Sequence, residues 1–219
     1  MSSENVLPDS IDWFKENIPD FETKHFFTAD WFSNGVVNFE FVIGHMEAPL
    51  KSILEIGSHE GRSTCWMLQN MLAADGTITC IDPFGNTPLN AYTRDALPEQ
   101  TIIQQIHQHN TNLAKLPTQT VEVMPMMSYH GLAQLIVDRR EFDLVYVDGS
   151  HCSDAVLADA VMAFGLLKSD GYMIFDDYLW NESPDILDHP KMSIDAFVNM
   201  FQKHIRIGLI NYQYVIQKV

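Results

Sequence analysis

Two carboxylates stand side by side in Ile174–Trp180 (IFDDYLW), where Asp176 and Asp177 close an apolar run that rises from Gly171. Adjacent like charges at the end of a buried strand repel each other and lose hydration, so water, hydrogen-bond donors or a cation must offset the cost. A second apolar run, FDLVYV, stops on Asp148 and continues as Gly149-Ser150-His151. An imidazole three residues beyond an acid suits proton transfer near neutral pH; the other reading of His151 is a helix-start residue that bonds backbone or supports Asp148. A third group is ILEIGSHEGRST, which carries Glu55, Gly57, Ser58, Gly61 and Ser63. Its glycines allow positive φ and close backbone approach, and the helix behind them offers free N–H groups. It lacks the Gly-Lys-Ser/Thr end of a phosphate-cradling loop, and His59 takes the middle glycine of a dinucleotide fingerprint. Asp82 before Pro83 ends one more apolar run; an acid there can accept from both hydroxyls of a ribose, or simply start a turn.

These residues need a frame. From Lys51 onward SILEI, TITCID, QTVEVM, FDLVYVD and YMIFDD read as short strands. STCWMLQNMLAA, LPEQTIIQQIHQHNTNLAKL, YHGLAQLIVDRR, SDAVLADAVMAFGLLK and IDAFVNMFQKH read as helices. Such alternation predicts an α/β fold: a Rossmann-like, doubly wound, mostly parallel sheet with helices on both faces. IRIGLI and QYVIQK lie too close for a parallel crossover, so they end the seven-stranded sheet as an antiparallel hairpin. Ligands of open α/β sheets bind beyond the carboxyl ends of the strands. Each of the first five strands delivers polar residues there: Glu55 and Gly57, Asp82, Met126 to Ser128, Asp148 to His151, and Asp176 with Asp177.

Residues 9–46 read as short aromatic helices, SIDWFKENI and TADWFSNGVVNFEFVIGHM, laid on the larger body by Ile11, Phe14 and Ile18 and by Trp31, Phe32, Val36 and Val37. The chain therefore divides into a helical cap or lid, residues 1–48, and a ligand-binding domain, residues 49–219. The exposed aromatic helix offers a contact for a homodimer.

Composition narrows the partners. A net charge of −16 works against nucleic-acid backbones and anionic membranes. No apolar run approaches the ~20 residues that span a bilayer, and MSSENVLPDS has no basic or apolar leader, so a cytoplasmic protein is expected. Cys65, Cys80 and Cys152 show no paired spacing and read as buried free thiols. His107, His109 and His204 read as surface residues.

Taken in order, Glu55-x-Gly57-x-x-x-Gly61-x-Ser63-Thr64, IDPF, FDLVYVDGSH and LLKSDGYMIFDDY resemble the class I S-adenosylmethionine-dependent methyltransferases. The resemblance is to the branch of small-molecule O-methyltransferases and macrocin-type sugar enzymes, and it covers about residues 50–180. It implies that Glu55, Gly57, Ser58, Gly61 and Ser63 surround the methionine end of S-adenosylmethionine. Asp82 with Pro83 would hold the ribose, and Ser128 would face the adenine edge. It also implies that strands four and five are neighbours, ~4.8 Å apart. Asp148, Asp176 and Asp177 would then share a hard divalent cation such as Mg²⁺, with Asp148 also beside the cofactor.

The expected reaction is methyl transfer to a hydroxyl of a small-molecule acceptor, with the cation orienting and acidifying that hydroxyl and His151 taking its proton. Alternatives are a metal-independent or nitrogen-directed methyltransferase, and a module that binds the cofactor without chemistry.

Overall fold

A computed structural model describes residues 8, 10–85 and 101–219. The polar start of the chain, the first residues of the expected LPEQTIIQQ helix and most of the loop after Asp82 lie outside the described residues.

Seven strands form one sheet in the order β3-β2-β1-β4-β5-β7-β6. They are β1 (Leu50–Ile56), β2 (Leu72–Ile81), β3 (Thr120–Met124), β4 (Phe142–Val147), β5 (Leu167–Phe175), β6 (Ile205–Ile210) and β7 (Tyr214–Lys218). The first five run parallel, and β7 is antiparallel to both β5 and β6. Among the described residues seven α-helices accompany them: α1 (Ile11–Asn17), α2 (Val36–Ile43), α3 (Arg62–Asn70), α4 (Ile102–Ala114), α5 (Ser128–Val137), α6 (Ser153–Leu166) and α7 (Pro190–Phe201). The expected architecture is what forms.

The two faces bury separate cores. Leu54, Ile56, Val145, Val147, Met173 and Phe175 point toward one side with residues of α5, α6 and α7. Ile53, Ile78, Leu144, Tyr146 and Ile174 point to the other, against Phe39 and Val42 of α2 and Met67 and Leu68 of α3. This is the period-two alternation of strands covered on both faces. A third cluster joins Phe14 and Phe21 to Ile106 of α4.

Several boundaries differ from the sequence expectation. The helix expected over STCWMLQNMLAA stops at Asn70, because Leu72 already pairs with Leu50 and begins β2. The short helix expected over TADWFSNGVVNFEFVIGHM is a 3₁₀ turn, Ser33–Gly35, followed by α2; Asp30 accepts from the backbone and hydroxyl of Ser33 and holds the chain in that turn. Phe14 and Phe32 are buried as expected, but Trp31 is 76% exposed and Val37 faces out. Cys65 and Cys80 are buried, whereas Cys152 is partly exposed. His107 corrects the expectation of a surface residue: it lies on the inner face of α4, wholly buried, with Phe84 packed edge-on at 5.3 Å. Among the described residues no helix is long and apolar enough to cross a membrane.

Candidate active site

Strand register brings the chemistry into one row. Ile56 pairs with Ile81 on one side and Val147 on the other, and Val147 pairs with Phe175. The residues that follow, Gly57, Asp82, Asp148 and Asp176, therefore leave the sheet at the same level. Each is tied to a neighbouring strand by its own N–H: Gly57 to Ile81 O at 2.9 Å, Asp82 to Met124 O at 3.2 Å, Asp148 to Ile56 O at 2.8 Å and Asp176 to Val147 O at 2.9 Å.

The turn after β1 depends on glycine. Gly57 has φ 85°, and a Cβ there would lie 2.0 Å from the Asp148 carbonyl oxygen. Only a residue without a side chain fits that close approach. Gly61 has φ 81° and leads into α3. Between them His59 takes a left-handed φ of 43°, and its N–H donates to Asp82 Oδ2 at 2.8 Å. Asp82 Oδ1 accepts from Phe84 N at 2.6 Å. The acid thus ties the β1 and β2 turns together, and its remaining lone pairs are the ones open to hydroxyl donors.

Glu55 lies wholly buried beneath this turn and accepts from the hydroxyls of Ser63 and Thr64 at the start of α3. Burial pushes its carboxyl up to about 7 despite those donors. Glu55 and Ser63 are thereby directed at each other and brace the turn from beneath. Ser58 Oγ is buried with no hydrogen-bond partner among the described residues, and such an atom is costly until something pairs with it. An orphan hydroxyl in a glycine cradle beside an acid fits a polar ligand containing a ribose.

A cavity of about 470 Å³ opens between the start of α5 and the start of α6, lined among others by Met127, Ser128, Tyr129, Cys152 and Asp159. Asp159 was not singled out in the sequence. It is 2% exposed, and burial pushes its carboxyl up to about 7, with the nearby Ser128 side chain acting to lower it. Its signal was present all the same: one acid in VLADAVMAF, on a helix whose other buried positions near it are apolar.

The three acids at the ends of β4 and β5 come close but divide their partners. The Tyr146 hydroxyl donates to Asp176, which also accepts from Asp177 N at 2.7 Å. Burial, then the charges of Asp176 and Asp177, holds the Asp148 carboxyl well above the usual range. Asp176 is raised likewise, by burial first and then by Asp177. Asp177 turns away. At φ 56° its Oδ2 meets His151 Nε2 at 2.7 Å, and its Oδ1 accepts from Tyr212 OH at 3.1 Å. Trp180 lies against the His151 ring, centroids 4.2 Å apart. The donors have the chemistry of a Mg²⁺ site. Asp177 is engaged by His151 and Tyr212, and among the described residues no three His, Cys, Asp or Glu side chains are gathered to hold a metal ion.

The N-terminal segment is strapped to the same turn. Glu60 accepts from Thr28 N at 2.7 Å and from Thr28 Oγ1 at 2.8 Å. Asn110 bonds both the N–H and the carbonyl of Phe26 and the carbonyl of Glu60. Trp31 is thereby held over His59, ring centroids 5.3 Å apart.

Comparison with known proteins places the chain in one family and one fold. A family model described as a methyltransferase domain matches residues 54–178, which span β1 to just beyond β5. An uncharacterized protein of Acanthamoeba polyphaga mimivirus is 26% identical over 137 residues, 61% of this chain. The chain spans about half the length of that curated relative, 55%. Among solved structures, a Klebsiella pneumoniae protein described as a candidate O-methyltransferase superposes with a TM-score of 0.61 at 19% identity, covering 95% of this chain and 94% of that one. The O-methyltransferase of Bacillus cereus, solved with S-adenosylhomocysteine, gives 0.55 at 15% identity, covering 95% and 96%.

Proposed function

The chain belongs to the methyltransferase-domain family, and from that premise we propose that it transfers a methyl group from S-adenosylmethionine to a hydroxyl oxygen of a small molecule. The observation that carries the reading is the single row of Gly57, Asp82, Asp148 and Asp176 at the strand ends, with Ser58 unpartnered in the turn and the cavity beside Ser128. The O-methyltransferases among similar folds support hydroxyl as the acceptor.

S-adenosylmethionine supplies an electrophilic methyl: the new O–C bond forms as the C–S bond breaks, its electrons pass to sulfur, and the hydroxyl proton must go to a base. In this reading the glycine turn and Asp82 bind the cofactor's methionine and ribose ends, and Ser128 its base. His151 Nδ1 is the acceptor for the proton: its Nε2–H donates to Asp177 Oδ2, which aims the ring, while Trp180 packs on the imidazole and Tyr212 donates to Asp177.

The resemblance to metal-dependent relatives implies a Mg²⁺ shared by Asp148, Asp176 and Asp177, which would orient and acidify the hydroxyl. The His151–Asp177 pair favours a second reading, base catalysis with the acids neutralised by protons and donors, because Asp177 would have to leave His151 to join an ion. Incubation with S-adenosylmethionine and a panel of phenols, sugars and aliphatic alcohols tests both. Formation of S-adenosylhomocysteine above background supports methyl transfer. A rate unchanged by EDTA supports the His–Asp pair, and a rate restored only by Mg²⁺ supports the ion.

A further inference from the structure

The turn between β1 and α3 carries two sets of contacts. Through Gly57 and His59 it meets the Asp148 carbonyl and Asp82 at the strand ends. Through His59, Glu60 and Arg62 it meets the N-terminal segment, where every residue from Phe26 to Trp31 touches this turn or α4 beside it. Phe26 exchanges two hydrogen bonds with Asn110, at 2.8 and 2.7 Å. Phe27 lies under the Arg62 guanidinium, its ring centre 4.3 Å away. Thr28 donates its N–H and its hydroxyl to Glu60, at 2.7 and 2.8 Å. Ala29 O accepts from Arg62 Nε at 3.2 Å, and Asp30 pairs with Arg62 Nη1 at 3.4 Å. Trp31 lies over His59.

Most of these contacts are polar. Thr28, Asp30 and Trp31 are exposed, so little apolar burial holds residues 27–31 in place, and a segment held in this way opens at low cost. Glu60 is the reverse. It is 3% exposed, and each of its carboxyl oxygens accepts from Thr28. A buried carboxyl stripped of its donors costs more than the bonds it has lost. Asn110 bonds the Glu60 carbonyl as well as Phe26, so the segment and the turn share partners. Glu60 also follows His59, whose left-handed φ of 43° needs surroundings that hold it.

Resting on the S-adenosylmethionine reading, we propose that Glu60 is a positioning residue for the cofactor. By holding Thr28 it fixes the turn in its ligand-binding shape, so docking of residues 26–31 and binding of the cofactor favour each other. When the segment leaves, the Glu60 carboxyl must turn toward water. The backbone beside it turns as well: His59 with its bond to Asp82, and Gly61 at the head of α3. Such coupling is reciprocal: a cofactor that prefers the docked form slows release of the segment by the factor by which release weakens the cofactor.

The experiment has two arms, both on the full chain. One is calorimetric titration of wild type, Glu60→Gln and Thr28→Pro with S-adenosylhomocysteine. Thr28→Pro removes both donors to Glu60 and leaves the turn's own residues in place. The other is hydrogen exchange at the Phe26 and Thr28 amides of wild type, with and without saturating S-adenosylhomocysteine. Binding about tenfold weaker is expected in both variants, and exchange about tenfold slower at both amides when the ligand is present, within the usual range of coupling between sites. A Glu60 that only braced the fold would leave the wild-type exchange at these amides indifferent to ligand. Either variant binding as tightly as wild type overturns the proposal. So does wild-type exchange at Phe26 and Thr28 that the ligand leaves unchanged, or that is no faster than exchange in β4, since the segment would then not open by itself. If a variant does not fold, the wild-type exchange decides alone. No binding of S-adenosylhomocysteine by folded wild type overturns the methyltransferase reading itself and this inference with it.

Discussion

Asp177 reaches His151 from a left-handed backbone conformation that a non-glycine residue adopts only where its surroundings hold it. That geometry makes the pair a testable unit. His151→Gln is expected to lower kcat by about 10²-fold or more, the usual contribution of a general base, while S-adenosylhomocysteine affinity stays within about threefold. Asp177→Asn keeps the shape but weakens the hold on the imidazole, and a smaller loss in kcat at unchanged affinity is expected; steady-state kinetics with calorimetry separates the two effects. At this scale much could be read beforehand. Asp82, Asp148, Asp176 and Asp177 each end an apolar run, and such a run must stop where the sheet stops. Pairings could not be read in the same way. Nothing in IFDDYLW says that its two acids face opposite partners, or that Tyr146 and Tyr212, distant in sequence, supply the hydroxyls. His107 misled because a histidine counts as polar when helix faces are assigned. Its ring is packed beside Gly61 and Phe84, both nitrogens without a partner among the described residues, and burial lowers it to about 4.

The turn between β1 and α3 is the element on which the site depends. Gly57→Ala would drive a methyl group into the Asp148 carbonyl at a φ that alanine disfavours. A loss of about 3 kcal/mol or more is expected, visible as a lower urea midpoint together with lost cofactor binding. The N-terminal strap should respond differently. Glu60→Ala removes both acceptors of Thr28, about 2 kcal/mol of local hydrogen bonding. Faster proteolysis of the segment around residues 18–33 is expected, with the sheet's own hydrogen-exchange protection unchanged. Alternating strands and helices were legible because each buries a face with its own period. Their ends were less so: α3 stops at Asn70 and β5 starts at Leu167 because of partners on other strands, Leu50 and Phe142. Local sequence carries no trace of those partners.

Over the whole molecule, buried acids give stability a pH dependence of definite sign. Glu55 and Asp159 are both raised to about 7. Between the ordinary carboxyl range and about 7 the folded protein keeps protons that the unfolded chain releases, so their contribution is greatest at the acid end and is lost as pH climbs through about 7. It is on the order of 3 kcal/mol for each group. His107 acts in the opposite sense, since its lowered value costs stability as pH falls below the ordinary histidine range. The clean readout is therefore a difference: Glu55→Gln should flatten the fall in Tm between about pH 5 and pH 8 relative to wild type. The strand order has a consequence for the birth of the protein on the ribosome. β7 follows the other six strands in sequence yet lies between β5 and β6. A nascent chain that has exposed everything up to Ile210 still has an open seam in its sheet, with β5 unpaired on one side and β6 without any partner. Docking of Tyr214–Lys218 closes the seam, so vectorial synthesis delivers the sheet's keystone after all its neighbours, and the half-made sheet presents a bare edge until then.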